Sequence, residues 1–116
     1  MDSLQAAKVI VKALDSKKAE DIRVIGIGEL SVIGDYFIIA SGRSGVQVKA
    51  LADEIETKMS EKGVTPKRIE GYSYANWVIL DYIDVIVHLF HSDTREFYSL
   101  ERLWSDGEQI DIANLL

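Results

Sequence analysis

Apolar residues recur along this chain with two different periods. Leu4, Ala7, Val11 and Leu14 are spaced three or four apart, so the chain opens with an amphipathic helix that ends near Ser16 and Lys17. Asp2 and Gln5 suit a capping box at its start. The β-branched run Ile22, Val24, Ile25 and Ile27 then reads as a short strand, and Tyr36-Phe37-Ile38-Ile39-Ala40 as a second, with residues 30–35 connecting them. Ser41-Gly42-Arg43-Ser44-Gly45 is a turn-rich break. It leads into a longer helix with the stripe Val48, Leu51, Ala52, Ile55 and Met59, stopped by Gly63 with Pro66 just beyond.

Lys67-Arg68-Ile69-Glu70 is a weak edge strand, followed by the aromatic loop Gly71-Tyr72-Ser73-Tyr74-Ala75-Asn76. Trp77-Val78-Ile79-Leu80 and Val85-Ile86-Val87-His88-Leu89-Phe90 are nearly continuous apolar runs. They are expected as a hairpin of interior strands covered on both faces and central to the sheet. Asp93 with Glu96 marks another capping box, and Phe97, Leu100, Leu103 and Trp104 a short helix. The apolar set Ile110, Ile112, Leu115 and Leu116 leaves two outcomes for the last stretch, docking on a neighbouring surface or fraying. With no internal repeat or linker, the expectation is a single α/β domain with a mixed sheet flanked by helices over residues 1–104, and a C-terminal tail over 105–116.

Composition narrows the class. The 116 residues are 47% hydrophobic and 28% charged with one proline, which is a packed globular chain. The absence of cysteine excludes disulfides, thiolate metal sites and a cysteine nucleophile, and it fits a reducing cytosol. The first residues do not resemble a signal peptide, and no apolar run approaches the roughly 20 residues of a membrane span, so a soluble, unprocessed, cytoplasmic protein is expected. Thirteen Lys and Arg against nineteen Asp and Glu give a net charge of -6, which favours a basic macromolecular partner over phosphate backbones or anionic lipid. Lys17-Lys18 and Lys67-Arg68 are the only candidate basic patches, and solvated turns account for both.

Enzymatic signatures are weak. Gly42-Arg43-Ser44-Gly45 between a strand and a helix has the setting of a phosphate-cradling turn but lacks the lysine and hydroxyl of a P-loop. A nucleotidyltransferase site needs a Gly-Ser type of turn and two carboxylates on one strand face. Asp81 and Asp84 are three apart across a presumed turn, a spacing that fits turn-capping instead. His88, His91 and Asp93 lack zincin spacing, and no Ser-centred nucleophile motif occurs, so neither a metal nor a catalytic residue is assigned. The second half is rich in Tyr72, Tyr74, Trp77, Tyr82, Tyr98 and Trp104, interleaved with Asp81, Asp84, Glu96 and Glu101. Tyr and Trp anchor interfaces and nearby acids select a basic partner. Trp77 and Trp104 serve equally well as core.

Long segments carry a more specific signal: Ala19-Glu20-Asp21-Ile22, Asp35-Tyr36-Phe37-Ile38-Ile39-Ala40-Ser41-Gly42, Glu70-Gly71-Tyr72, Trp77-Val78-Ile79-Leu80-Asp81-Tyr82 and Arg95-Glu96-Phe97-Tyr98-Ser99-Leu100-Glu101-Arg102-Leu103-Trp104. In these, over nearly its whole length, the chain resembles the ribosomal silencing factors, or Iojap-like family. The resemblance implies a nucleotidyltransferase-like α/β fold without transferase chemistry and no cofactor. It also implies binding to the large ribosomal subunit through ribosomal protein number fourteen, steric blocking of subunit joining, and translational repression when nutrients are short or growth has stopped. No sequence-specific nucleic acid contact is expected. Carried over by position, it puts forward Trp77, Asp81, Tyr82, Tyr98 and Glu101 as partner-binding residues, with His88 and Phe90 on the same hairpin completing the patch or, for Phe90, the core. Many relatives have glycine after the Asp-Tyr pair where this chain has Ile83, so a different turn is expected here, because a β-branched residue disfavours positive φ. Two other readings stand beside this one: a residual nucleotidyltransferase using the Ser41-Gly42 turn, and a homodimeric interaction module.

Overall fold

The structure, a computed structural model, describes residues 1–27, 35–94 and 108–116. Helix α1 (Ser3–Ser16) is followed by strands β1 (Glu20–Gly26) and β2 (Tyr36–Gly42), helix α2 (Gly45–Glu61), and strands β3 (Arg68–Glu70), β4 (Trp77–Asp81), β5 (Val85–His91) and β6 (Glu108–Ile110). A short 3-10 turn, Ile112–Asn114, follows. The strands form one six-stranded sheet in the order β3-β4-β5-β2-β1-β6. Among these strands only β2 and β5 run parallel; the other neighbours are antiparallel, so the sheet is mixed.

The helices form where their stripes predict. The Asp2 side chain accepts from the Gln5 amide at 2.8 Å while the Gln5 side chain accepts from the Asp2 amide at 3.0 Å, the reciprocal bonds of a capping box. Ser44 caps α2 by accepting from the Gln47 amide at 3.1 Å. Gly63 takes φ +77° just past the end of α2. Lys17 reaches Glu54 at 3.4 Å, and the Gln47 side-chain amide donates to the carbonyls of Lys17 and Lys18, so the end of α1 meets the first half of α2 and the helices run antiparallel.

Both helices pack on one face of the sheet. There Ile10, Leu14, Leu51 and Ile55 bury against Val24, Ile38, Leu80, Val87 and Leu89, all essentially inaccessible. The alternate residues of the same strands, Ile25, Phe37, Ile39, Ile86 and Phe90, form a second buried cluster on the opposite face. Two buried faces explain why β2 and β5 read as unbroken apolar runs.

Several expectations change in detail. Ser41 and Gly42 are the last residues of β2 rather than part of the turn, since they pair with Phe90 and His91. A Cβ on Gly42 would lie 3.1 Å from the Val48 amide, so close helix packing accounts for that glycine. β5 is central as expected, but β4 is the last strand before the edge strand β3, and Trp77, Ile79 and Asp81 on its second face are only partly covered. At the C-terminus the outcome is docking: Glu108–Ile110 pairs with β1 and Leu115 is buried in the helix-side core. Residues 92–94 are helical. The remainder of the helix expected from Asp93, including Phe97, Leu100, Leu103 and Trp104, lies outside the described residues.

Candidate partner-binding surface

Period-two alternation decides which side chains β4 offers. Val78 and Leu80 point to the helix-side core, and Trp77, Ile79 and Asp81 to the second face, each half-buried. Antiparallel pairing sets Arg68 opposite Asp81 and Glu70 opposite Ile79, extending this row onto the edge strand. Arg68 lies 3.6 Å from Asp81 and 3.6 Å from Glu70. The surface is thus an apolar row, Trp77 and Ile79, ending in a charged cluster with two carboxylates and one guanidinium.

His88 supports this row from inside. It is 7% exposed, stacks on Phe37 with centroids 4.3 Å apart, and its Nδ1 accepts the Trp77 indole N–H at 2.8 Å. Burial pushes its pKa down to about 4, so the ring is neutral at pH 7. Trp77 also stacks on Phe90 at 5.2 Å. The indole is held on two sides by buried rings.

The expected contact residues therefore separate. Trp77 and Asp81 share the surface row, and His88 lies beside it on the same face, on the neighbouring strand β5 opposite Ile79. Phe90 is core, at 1% exposure. Tyr82 turns the other way: it is buried on the helix side, and its hydroxyl has no hydrogen-bond partner. Burial, with the Glu56 charge added, pushes its pKa up to about 12. Tyr98 and Glu101 lie outside the described residues. The residues missed from sequence are Ile79, Arg68 and Glu70; parity along β4 gives the first, but nothing before the register of β3 is known gives the other two.

The loop over residues 71–76 braces the start of β4. Gly71 has φ +78°, and its carbonyl accepts from the Ala75 amide at 3.1 Å. The Tyr72 hydroxyl donates to Asp53 on α2 at 3.0 Å, and Lys49 sits 5.4 Å from the Tyr72 ring centre. Tyr74, at 86% exposure, projects from this loop.

A transferase site does not assemble from the residues named for it. Asp81 pairs with Ile86, which pairs with Phe37, so Asp81 lies level with Phe37 and five residues from Gly42 along the strand direction. At about 3.3 Å per residue the carboxylate row and the Ser41-Gly42 end are about 17 Å apart. Asp81 Oδ1 instead accepts from the Ile83 amide at 2.8 Å. At the α2 start, the Gln47 side chain accepts the Arg43 amide at 2.7 Å and Ser44 accepts the Gln47 amide, so two donors available to a phosphate are already engaged. His88 and His91 point to opposite faces of β5, and among the described residues no group of three metal-ligating side chains converges. Nor, among them, is any helix long and apolar enough to cross a membrane.

A small α/β domain with a mixed six-stranded sheet and an apolar row, Trp77 and Ile79, on the strand next to its edge defines the class. The family model described as "Ribosomal silencing factor during starvation" matches residues 1–116. The chain belongs to that family. It is 39% identical over 116 residues to the ribosomal silencing factor RsfS of Halalkalibacterium halodurans, covering 100% of this chain and 99% of that one. It is 41% identical over 112 residues to the RsfS of Bacillus subtilis, covering 97% and 95%. The chloroplastic protein Iojap of Zea mays is 30% identical over 96% of this chain, which spans 48% of it. A crystal structure of a Chromobacterium violaceum protein superposes with a TM-score of 0.88 at 33% identity, covering 96% of this chain and 92% of that one.

Proposed function

We propose that this protein is a cytoplasmic, non-enzymatic silencer of translation that binds the large ribosomal subunit through ribosomal protein number fourteen and sterically blocks joining of the small subunit, chiefly in starvation or stationary phase. The observation that carries the reading is the family match over residues 1–116 together with near full-length identity to factors named for ribosomal silencing. The Trp77-Ile79-Asp81 row suits such binding, because a braced aromatic supplies contact area at little entropic cost and the adjacent carboxylates favour a basic partner. Tyr98 and Glu101 remain proposed contacts from the family resemblance. His88 acts from the neighbouring strand by holding Trp77, and Tyr82 by filling the helix-side core. The net charge of -6 supports a basic protein as the principal partner.

Sedimentation of large and small subunits at physiological magnesium, with and without the protein, tests this. Comigration with the large subunit and a depleted joined-ribosome peak are expected. Protein remaining at the top of the gradient, with joining unaffected at saturation, overturns it. A second reading, a homodimer formed through the same row, is favoured by the partly exposed Trp77 and Ile79 beside an edge strand of only three residues. It predicts that self-association and subunit binding compete, which sedimentation velocity over a concentration series reads directly.

A further inference from the structure

The face of the molecule opposite the Trp77 row carries a feature of different chemistry. Between the outer flanks of α1 and α2 runs a cleft of about 420 Å³ whose lining includes Val9, Lys12, Ala13, Lys58, Glu61 and Lys62. It continues into a second cleft of about 380 Å³ that shares Val9 and Lys62 and adds Lys8. Four lysines and one glutamate thus border one continuous furrow, a strongly basic strip in a chain of net charge -6.

Helical spacing builds the strip. Lys8 and Lys12 are four residues apart on α1, and Lys58 and Lys62 four apart across the end of α2, so each pair projects from one side of its helix with a rise of about 6 Å between its members. All four are exposed. Lys58 meets Glu61 only at 3.9 Å, and Lys8, Lys12 and Lys62 form no ion pair among the described residues. Lys17, Arg23, Arg43 and Arg68 are each paired with a carboxylate, whereas Lys18 and Lys67, like the furrow lysines, are in no ion pair among the described residues but line neither cleft. The helix dipole accounts for cations at the end of α2 but not for the α1 pair. Lysine is a point charge on a flexible stem, and the furrow has no arginine or aromatic ring to read bases or stack on them. Such a surface suits a phosphate backbone and is indifferent to sequence.

We propose that the α1–α2 furrow is a docking surface for the phosphate backbone of RNA. The choice of RNA among polyanions rests on the ribosomal reading above; the anion-binding character of the furrow does not. A factor seated on a ribosomal protein by one face would then touch RNA with the other. The net negative charge keeps this contact weak and salt-sensitive, so it adds to a complex already formed rather than recruiting the protein from solution.

Fluorescence anisotropy of a labelled short RNA duplex, titrated with the full chain over a series of salt concentrations, tests the proposal. The expected dissociation constant at physiological salt is at the weak end of nonspecific binding, roughly 10⁻⁴ M, and it tightens as salt is lowered along a log-log slope of about three. Replacing Lys8 and Lys12 together by Gln is expected to weaken binding about tenfold and reduce the slope by about two. Replacing Lys18 and Lys67 by Gln removes the same charge elsewhere on the surface and is expected to leave the slope unchanged. Equal losses in the two double variants, or no salt-dependent binding by the unaltered chain, overturn the proposal. Poly-glutamate bound as tightly as RNA also overturns it, assigning the furrow to an acidic protein segment. Subunit sedimentation separates the two readings: a chain that comigrates with large subunits yet ignores the duplex defeats the furrow proposal alone, and one that does not comigrate defeats the ribosomal reading.

Discussion

The Trp77 indole N–H donates to Nδ1 of His88 at 2.8 Å across adjacent strands, and that single bond fixes the state of both rings. An accepting Nδ1 belongs to the neutral imidazole, with its proton on Nε2. Burial enforces the same form by lowering the pKa from 6.5 to about 4. Between those values an unfolded chain takes up a proton that the folded chain refuses, so this contribution to stability is present above pH 6.5 and is lost as pH falls toward 4. The loss is about 1.4 kcal/mol per pH unit, or about 2 kcal/mol by pH 5. His88→Gln retains an acceptor for the indole and cannot titrate. Urea unfolding at pH 7 and pH 5 should show the unaltered protein losing about 2 kcal/mol more than this variant; equal losses would mean that His88 is not held neutral.

Ile83 bears strain that glycine would relieve. The residue adopts φ +73°, the left-handed conformation that a β-branched side chain disfavours. The turn is held from several sides: Asp81 accepts from the Ile83 amide, the Tyr82 amide donates to the Val85 carbonyl at 3.0 Å, and the Asp84 carbonyl accepts from the amides of Asp35 and Tyr36 at 2.6 and 3.1 Å. A non-glycine residue in this region costs about 1–2 kcal/mol, and the greater freedom of an unfolded glycine offsets part of the relief. Ile83→Gly should therefore stabilise the protein by about 1 kcal/mol and raise Tm by roughly 5 °C. An unchanged or lower Tm would show that the 59% exposed side chain makes up for its backbone.

His88 and Ile83 illustrate which features the linear sequence carries and which it hides. Helices α1 and α2 are legible because their stripes and caps are local: Asp2, Gln5, Gly63 and the Val48 to Met59 stripe each act within a turn or two. Trp77 and Asp81 share a face because they have the same parity on one strand, and that parity also turns Tyr82 away, a signal outweighed by its aromatic character. Strand β6 is not legible, since three residues with one buried partner row carry no pattern until β1 is beside them. The lysine furrow is hidden for the same reason. Adjacent pairs such as Lys17-Lys18 look basic in sequence, whereas Lys8, Lys12, Lys58 and Lys62 become neighbours only when two helices pack.

Gly71 and Gly63 form a matched pair for testing what holds the start of β4. Both have positive φ, +78° and +77°. A Cβ on Gly63 would meet nothing within 4 Å, but one on Gly71 would lie 2.1 Å from the Trp77 carbonyl oxygen. Backbone cannot swing aside as a side chain can. Gly63→Ala should cost about 1 kcal/mol from the left-handed conformation alone. Gly71→Ala should cost more than about 2 kcal/mol and displace Trp77, seen as altered tryptophan fluorescence in the folded state. Equal costs in denaturant titrations would show that the loop yields without disturbing β4.

Tyr82 separates a core role from a contact role through one oxygen atom. Its ring fills the helix-side core and its hydroxyl is buried without a partner. An unsatisfied buried hydroxyl costs about 1–3 kcal/mol, so Tyr82→Phe should be neutral or stabilising by about 1 kcal/mol. Tyr82→Ala leaves a cavity and should cost about 3–5 kcal/mol. Alkaline unfolding gives an independent reading. The raised folded pKa, about 12 against 10, means that the unfolded chain releases the phenolic proton first, so stability falls as pH rises above 10. Tyr82→Phe should lack that contribution. Subunit sedimentation completes the test: Tyr82→Phe should comigrate with large subunits as the unaltered protein does. A variant that folds normally yet stays at the top of the gradient would place the hydroxyl at the interface and contradict the packing of this hairpin.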